Sequence, residues 1–254
     1  MDRLRIDERI AQYRFPPGSG KHYGFNLTVP LDEDERRALL IDAAYEKQAG
    51  AVLADLTARG TELAGVIVSH FHPDHVMGLK ALPRVPVYGS ARFDETVCHY
   101  TGKGERRLFT PTEPVFDGTR STFGRLDLAF RLAPGHSPCS MYTLIGDRFL
   151  HVADNIMTSP TGQDVLPWAA FDLIQDHIRS LEALREFGAR TLLLSHGVVL
   201  DDERAIDAAI ANRVSYFRAV LEGGGRISYE EATEGCTCDF LHQEWLIRKD
   251  STAA

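Results

Sequence analysis

Cysteine is scarce in this chain. Four cysteines, Cys98, Cys139, Cys236 and Cys238, are too few for a disulfide framework in 254 residues. Cys236 and Cys238 are separated by Thr237 alone, too close for an ordinary bridge. They read as two small residues of a C-terminal loop or strand, because a closed zinc site needs four ligands and no companions stand nearby. Dense runs of Lys or Arg are also missing, and the formal net charge is -8. A protein that tracks nucleic-acid phosphates needs a basic stripe, so that class is disfavoured. No apolar stretch reaches the length of a membrane span. Residues 1–8 alternate charge with apolar groups and lack the apolar run of a signal peptide. The expectation is a cytoplasmic protein whose partner is a small-molecule substrate, with neither nucleic acid nor membrane, and a homodimer is compatible with it. No internal repeat and no low-complexity linker interrupts the chain.

What is present suits one large α/β domain: the composition is 44% hydrophobic, enough for a sizeable core. Residues 24–30 and 37–42 read as strands, with a charged turn, Leu31 to Glu35, between them. Ala49, Val52, Leu53 and Leu56 recur at helical spacing, predicting a helix over 46–56. Ala64 to Ser69 is a short apolar run that suits a strand covered on both faces. Helices are expected over 76–82, 91–99, 169–187 and 202–222. Strands are expected over 85–88, 121–123, 126–132, 141–145, 148–151 and 191–195. Strands and helices thus alternate, as in layered α/β folds that carry their chemistry at strand ends.

One motif dominates. His70-Phe71-His72-Pro73-Asp74-His75 follows a predicted strand, and His136, Asp154 and His196 each follow another. Five of the ten histidines and two acids therefore stand at the intervals of a two-metal hydrolase. One residue separates His70 from His72, and alternation in an extended loop puts their rings on the same side. Asp74 and His75 arrive after Pro73 stiffens the turn, close enough to serve a neighbouring ion.

In this ordered set the chain resembles the metallo-β-lactamase-fold superfamily, over roughly residues 24–200. The resemblance implies an αββα sandwich of two mixed β-sheets flanked by helices. It would occupy residues 1–222, with 223–254 a short C-terminal extension packed on the same domain. By analogy, His70, His72 and His136 hold one divalent ion, and Asp74, His75 and His196 a second. Asp154 bridges them, and Asp42 lies beneath the His-rich loop, orienting a ligand. Two zinc ions are expected, with iron or manganese as alternatives.

An aspartate at 154 resembles the glyoxalase II and lactonase-like branches rather than the true zinc β-lactamases. The implied activity is cleavage of a carboxylic ester, lactone or thioester by a metal-bridging hydroxide, with Asp74 returning the proton to the leaving group. The carbonyl-polarising Tyr that quorum-quenching lactonases carry just after the bridging acid is missing, since Asn155, Ile156, Met157 and Thr158 stand there. Two alternatives remain: a mononuclear iron persulfide dioxygenase of the same fold, and a catalytically idle ligand-binding member. Candidate pocket residues are Phe71, Cys139, Trp168 and Phe171, the last two in an insertion over 156–171 that could fold over the metals. Tyr142 reads as core. His151, three residues before Asp154, is a weaker candidate for orienting a ligand, and His22, His99, His177 and His242 stay unassigned.

Overall fold

Successive residues of the central strands bury opposite faces, and that alternation sorts the apolar side chains into three layers of core. The computed structural model describes residues 1–19, 21–32, 36–188 and 190–250. The first sheet has seven strands in sequence order. They are β1 (Asp2–Arg5), β2 (Ile10–Phe15), β3 (Phe25–Asp32), β4 (Arg37–Ile41), β5 (Glu62–Val68), β6 (Val87–Ser90) and β7 (Glu113–Val115). Pairing is antiparallel as far as β4 and parallel beyond it. The second sheet contains β8 (Arg120–Phe123), β9 (Leu126–Leu132), β10 (Met141–Ile145), β11 (Phe149–His151) and β12 (Thr191–Leu193). Its order is β12-β11-β10-β9-β8, parallel only between β11 and β12.

Leu39, Ile41 and Ile67 of the first sheet meet Phe130, Met141, Ile145, Phe149 and Leu193 of the second. On the outer face of the first sheet, Leu40, Val66 and Val68 pack with Val52 and Leu56 of α1 (Glu46–Ala58). On the outer face of the second, Tyr142, Leu150 and Leu192 pack against two helices. These are α5 (Ile174–Ala183) and α6 (Glu203–Glu222), which follow the short helices α2 (Pro73–Val76), α3 (Asp94–Val97) and α4 (Lys103–Arg106). The result is the expected αββα sandwich. After α6, residues 223–250 contain α7 (Tyr229–Thr233), started by a capping box between Ser228 and Glu231. Ala232, Phe240 and Ile247 of this segment enter the core that α6 covers. Among the described residues, no helix is long and apolar enough to cross a membrane.

Several elements differ from expectation. The β1–β2 hairpin was not anticipated. Its alternation of charged and apolar residues is that of an exposed edge strand, and the Asp7 carboxylate shapes the turn by accepting from the N–H groups of Arg9 and Ile10. Leu31 and Asp32 continue β3, and residues 33–35 of the expected charged turn lie outside the described residues. The helix expected over 76–82 starts earlier, with Pro73 in the first turn of α2, and tightens to a 3-10 turn over Met77–Ala81. Asp74 and His75 are thus held by a helix start rather than a loop. The helix expected over 91–99 contracts to α3, and that over 169–187 becomes α5 between 3-10 turns over Phe171–Leu173 and Leu184–Phe187.

The segment after Asp154 is anchored in the core. Ile156, Met157, Val165 and Leu166 are buried, and Arg213 of α6 fixes them from behind. Its fully buried guanidinium donates to the carbonyls of Met157 (2.6 Å) and Ala209 (2.9 Å) and pairs with Asp164 at 2.7 Å. Replacing Arg213 with Ala leaves Asp164 and the Met157 carbonyl without their partner. Arg213→Ala is expected to lower the unfolding free energy by about 3–5 kcal/mol in a denaturant titration, and an unchanged midpoint would refute this anchoring role.

Candidate metal centre

The chemistry-bearing residues all follow the C-terminal ends of strands at one edge of the sandwich. Asp42 follows β4, His70 follows β5, His136 follows β9, Asp154 follows β11 and His196 follows β12. The two sheets are stitched together at that edge, where Ser69 O accepts from Met141 N and Ser195 O accepts from Asn26 N.

Seven side chains converge there, almost all of them buried. His70 Nε2 and His136 Nε2 lie 3.1 and 3.0 Å from His72 Nδ1. Asp154 Oδ2 is 3.9 Å from His70 Nε2, 3.7 Å from His136 Nε2, 3.3 Å from His75 Nε2 and 3.2 Å from His196 Nε2. Asp74 closes the second group, 3.8 Å from His75 Nε2 and 3.6 Å from His196 Nε2. Two donor groups, His70/His72/His136 and Asp74/His75/His196, thus share the Asp154 carboxylate.

The hydrogen bonds behind the rings set their tautomers. His136 Nδ1 faces the Trp168 carbonyl at 3.2 Å, and His196 Nδ1 faces the Gly24 carbonyl at 2.6 Å. A carbonyl can only accept, so both Nδ1 atoms carry the proton and both Nε2 atoms turn a lone pair inward. His75 Nδ1 donates in the same way to Asp42 Oδ2 at 2.9 Å. His75 Nε2, His196 Nε2 and Asp154 Oδ1 are buried without a hydrogen-bond partner. Orphaned buried polar atoms of this kind are costly, and a cluster of imidazole nitrogens converging on a carboxylate is what a divalent ion requires. The residues therefore fit a metal.

Electrostatics divides the site in two. Burial and the imidazoles of His75, His72 and His136 hold His70 well below the usual histidine range, and burial with His136 and His75 does the same to His72. Those rings stay neutral and free to donate lone pairs. Burial also favours a neutral His75, but the carboxylates of Asp154, Asp42 and Asp74 outweigh it and raise its pKa well above the usual value. Burial disfavours the charged form of Asp154, yet His196 and His75 hold its carboxyl well below the ordinary range. This half of the site attracts positive charge.

The family model of the metallo-beta-lactamase superfamily matches residues 31–196. The chain belongs to this superfamily. Among curated proteins, this metallo-beta-lactamase superfamily member is 26% identical over 219 residues to the lactamase-like protein ptaB of Pestalotiopsis fici, covering 85% of this chain and 64% of that protein. It is also 26% identical over 145 residues to a hydroxyacylglutathione hydrolase of Fuscovulum blasticum, covering 54% of each chain. The chain thus spans less than two thirds of the length of either relative. Among solved structures, a metallo-beta-lactamase from Pontibacter korlensis superposes with a TM-score of 0.68 at 15% identity, covering 85% of this chain and 98% of that one. A metallo-beta-lactamase family protein from Thermus thermophilus gives 0.66 at 17%, covering 87% and 83%. At such identities the likeness concerns the fold.

Asp42 lies where the sequence reading put it, under the His-rich loop. Its backbone is left-handed (φ 62°), a conformation aspartate tolerates better than most residues. Its carboxylate accepts from Ser69 N and Ser69 Oγ at 2.8 Å and from Ser195 Oγ at 3.0 Å, besides His75. His151 is near this network, 3.4 Å from Ser195 Oγ. Neither serine was foreseen, although each directly precedes a ligand-type histidine at a strand end.

Of the expected pocket residues, only Trp168 lines the opening above the centre. Phe71 is a correction: it is fully buried against Phe93 on the far side of the loop, because the alternation that turns His70 and His72 inward turns Phe71 outward. Cys139 is a second correction. Its buried thiol lies 3.0 Å from Thr96 Oγ1 and 3.4 Å from Ser137 Oγ, in the core rather than the pocket wall. Phe171 is a third, packed on the core covered by α5 and α6 after the chain has turned away from the opening. Tyr23 and Trp245, for which the sequence carries no signal, line the opening together with Met157 of the 156–171 segment. Tyr142 is core, as expected.

Asp42→Asn puts an amide where His75 Nδ1–H needs an acceptor, and the ring can then turn a proton rather than a lone pair toward the site. We expect metal affinity, measured by chelator competition, to fall by about 10–100-fold with the fold retained. Unchanged affinity would reduce Asp42 to a staple between the sheets.

Proposed function

We propose that this protein is a metal-dependent hydrolase that cleaves a carboxylic ester, lactone or thioester of a small molecule. The observation that carries the reading is the pair of donor groups sharing Asp154 at the floor of an open cavity. Divalent ions bound there, with zinc fitting the imidazole and carboxylate donors best, would lower the pKa of water and polarise a scissile carbonyl. The chain's own residues do the rest. Asp154, facing four imidazoles, fixes the spacing of the two donor groups. Asp74, a quarter exposed at the cavity floor, is placed to take a proton from the attacking water and pass it to the leaving group. Trp168 and Met157 narrow the access of bulk water to that floor.

The distant similarity to a hydroxyacylglutathione hydrolase supports a thioester as one substrate type. The persulfide dioxygenase alternative drew on Cys139, whose thiol faces Thr96 and Ser137 inside the core. A catalytically idle protein would have little reason to retain all seven donors.

Protein purified without added metal is expected to hold about two equivalents of zinc, manganese or iron by elemental mass spectrometry, and to hydrolyse acyl thioesters or aryl esters. His72→Ala and Asp154→Ala should each lower kcat/KM by at least about 10³-fold, with circular dichroism unchanged. Full turnover by either variant without bound metal would overturn the mechanism.

A further inference from the structure

The opening above the donor cluster is a cavity of about 270 Å³ whose wall is made by Tyr23, Met157, Trp168 and Trp245. It is just below the usual size range of small-molecule sites. The wall comes from three distant parts of the chain: the turn before β3, the segment after Asp154, and the 3-10 turn Gln243–Trp245 beyond α7. Each ring is held by a neighbour. Tyr23 stands edge-on to His196 at 5.0 Å and to Trp245 at 5.7 Å between ring centres. Trp245 stacks on His242 at 4.3 Å, and the His242 backbone is left-handed (φ 63°) with its Nδ1 2.7 Å from Glu244 Oε1. Trp168 is fixed through its carbonyl, which accepts from His136 Nδ1. Among the described residues no lysine or arginine belongs to the cavity lining itself, and Lys21 Nζ lies 5.9 Å from the centre of the Tyr23 ring.

These features select a ligand chemistry. A charged group resting between the two tryptophans would lose water without a charged side chain of the cavity lining on that side, whereas a flat ring would meet aromatic faces and edges there. We propose that the wall is a subsite for an uncharged, planar aromatic group of the substrate, and that Trp245, supplied by the C-terminal segment, determines this preference. The inference rests on the hydrolase reading only in taking the bound group to be part of the scissile ester or thioester.

The chain's two tryptophans, Trp168 and Trp245, both line the cavity, so tryptophan emission reports on it directly. The test is to titrate zinc-loaded protein with benzamide, with its saturated analogue cyclohexanecarboxamide, and with S-methylglutathione. Benzamide is expected to bind about tenfold more tightly than the saturated amide. Trp245→Leu, which keeps apolar bulk but removes the ring, should bring the two amides within about twofold of each other, and Trp245→Phe should restore the preference. Equal affinity for both amides in the wild type, tighter binding of S-methylglutathione than of benzamide, or an unaltered preference in Trp245→Leu would each overturn the proposal. The readout needs no turnover. Aromatic preference without ester or thioester hydrolysis would sink the hydrolase reading and leave the subsite standing. Hydrolysis of an acetyl thioester without aromatic preference would do the reverse.

Discussion

The Asp42 carboxylate ties together three parts of the chain where the two sheets meet. It accepts hydrogen bonds from Ser69 at the end of β5, from Ser195 at the end of β12, and from His75 on the first turn of α2. One buried group thus fixes the edges of both sheets and sets the tautomer of a ring in the donor cluster. Burial alone would push its pKa up, but His75, His151 and the Ser69 N–H hold it below the ordinary carboxylate range. An ionised, fully satisfied carboxylate at this junction is strong because the surroundings exclude water, and for the same reason it tolerates no missing partner.

The seven-residue cluster would be an unfavourable arrangement in a protein without positive charge to bind. Buried imidazoles crowd around Asp154, and three buried polar atoms of the cluster have no hydrogen-bond partner. Stability is being given up locally, and the surrounding structure supplies it from elsewhere: three layers of core, and the Arg213 anchor that holds the chain just past Asp154. Such local cost, tolerated inside an otherwise consistent fold, is where function is to be sought.

The cavity wall is assembled differently from the donor cluster. The donors come from strand ends that the sheets hold in fixed register, whereas the cavity wall is gathered from the turn before β3, the segment after Asp154 and the C-terminal turn. The two are nevertheless coupled, because the Trp168 carbonyl partners His136 and the Tyr23 ring packs against His196.

The sequence by itself determined the donor set and the layered fold around it. Ligand-type residues following predicted strands are a local signal, and His70 and His72 share a face because the period of extended backbone is two residues. The same period also places Phe71 on the opposite side, although its position between two ligands had suggested the pocket. The β1–β2 hairpin has a weak apolar pattern, because β1 is a short edge strand of mostly charged residues and the buried run of β2 is interrupted by Gln12. Only the tertiary structure decided which residues line the opening. Tyr23 and Trp245 lie more than two hundred positions apart, and no periodicity links them. Cys139, three positions after His136, is buried in the core, and Phe171, three positions after Trp168, packs on the core instead of the opening. Local spacing encodes what one strand end presents. Which side chains from distant segments close over it depends on how the layers pack, and that is settled by the whole core at once.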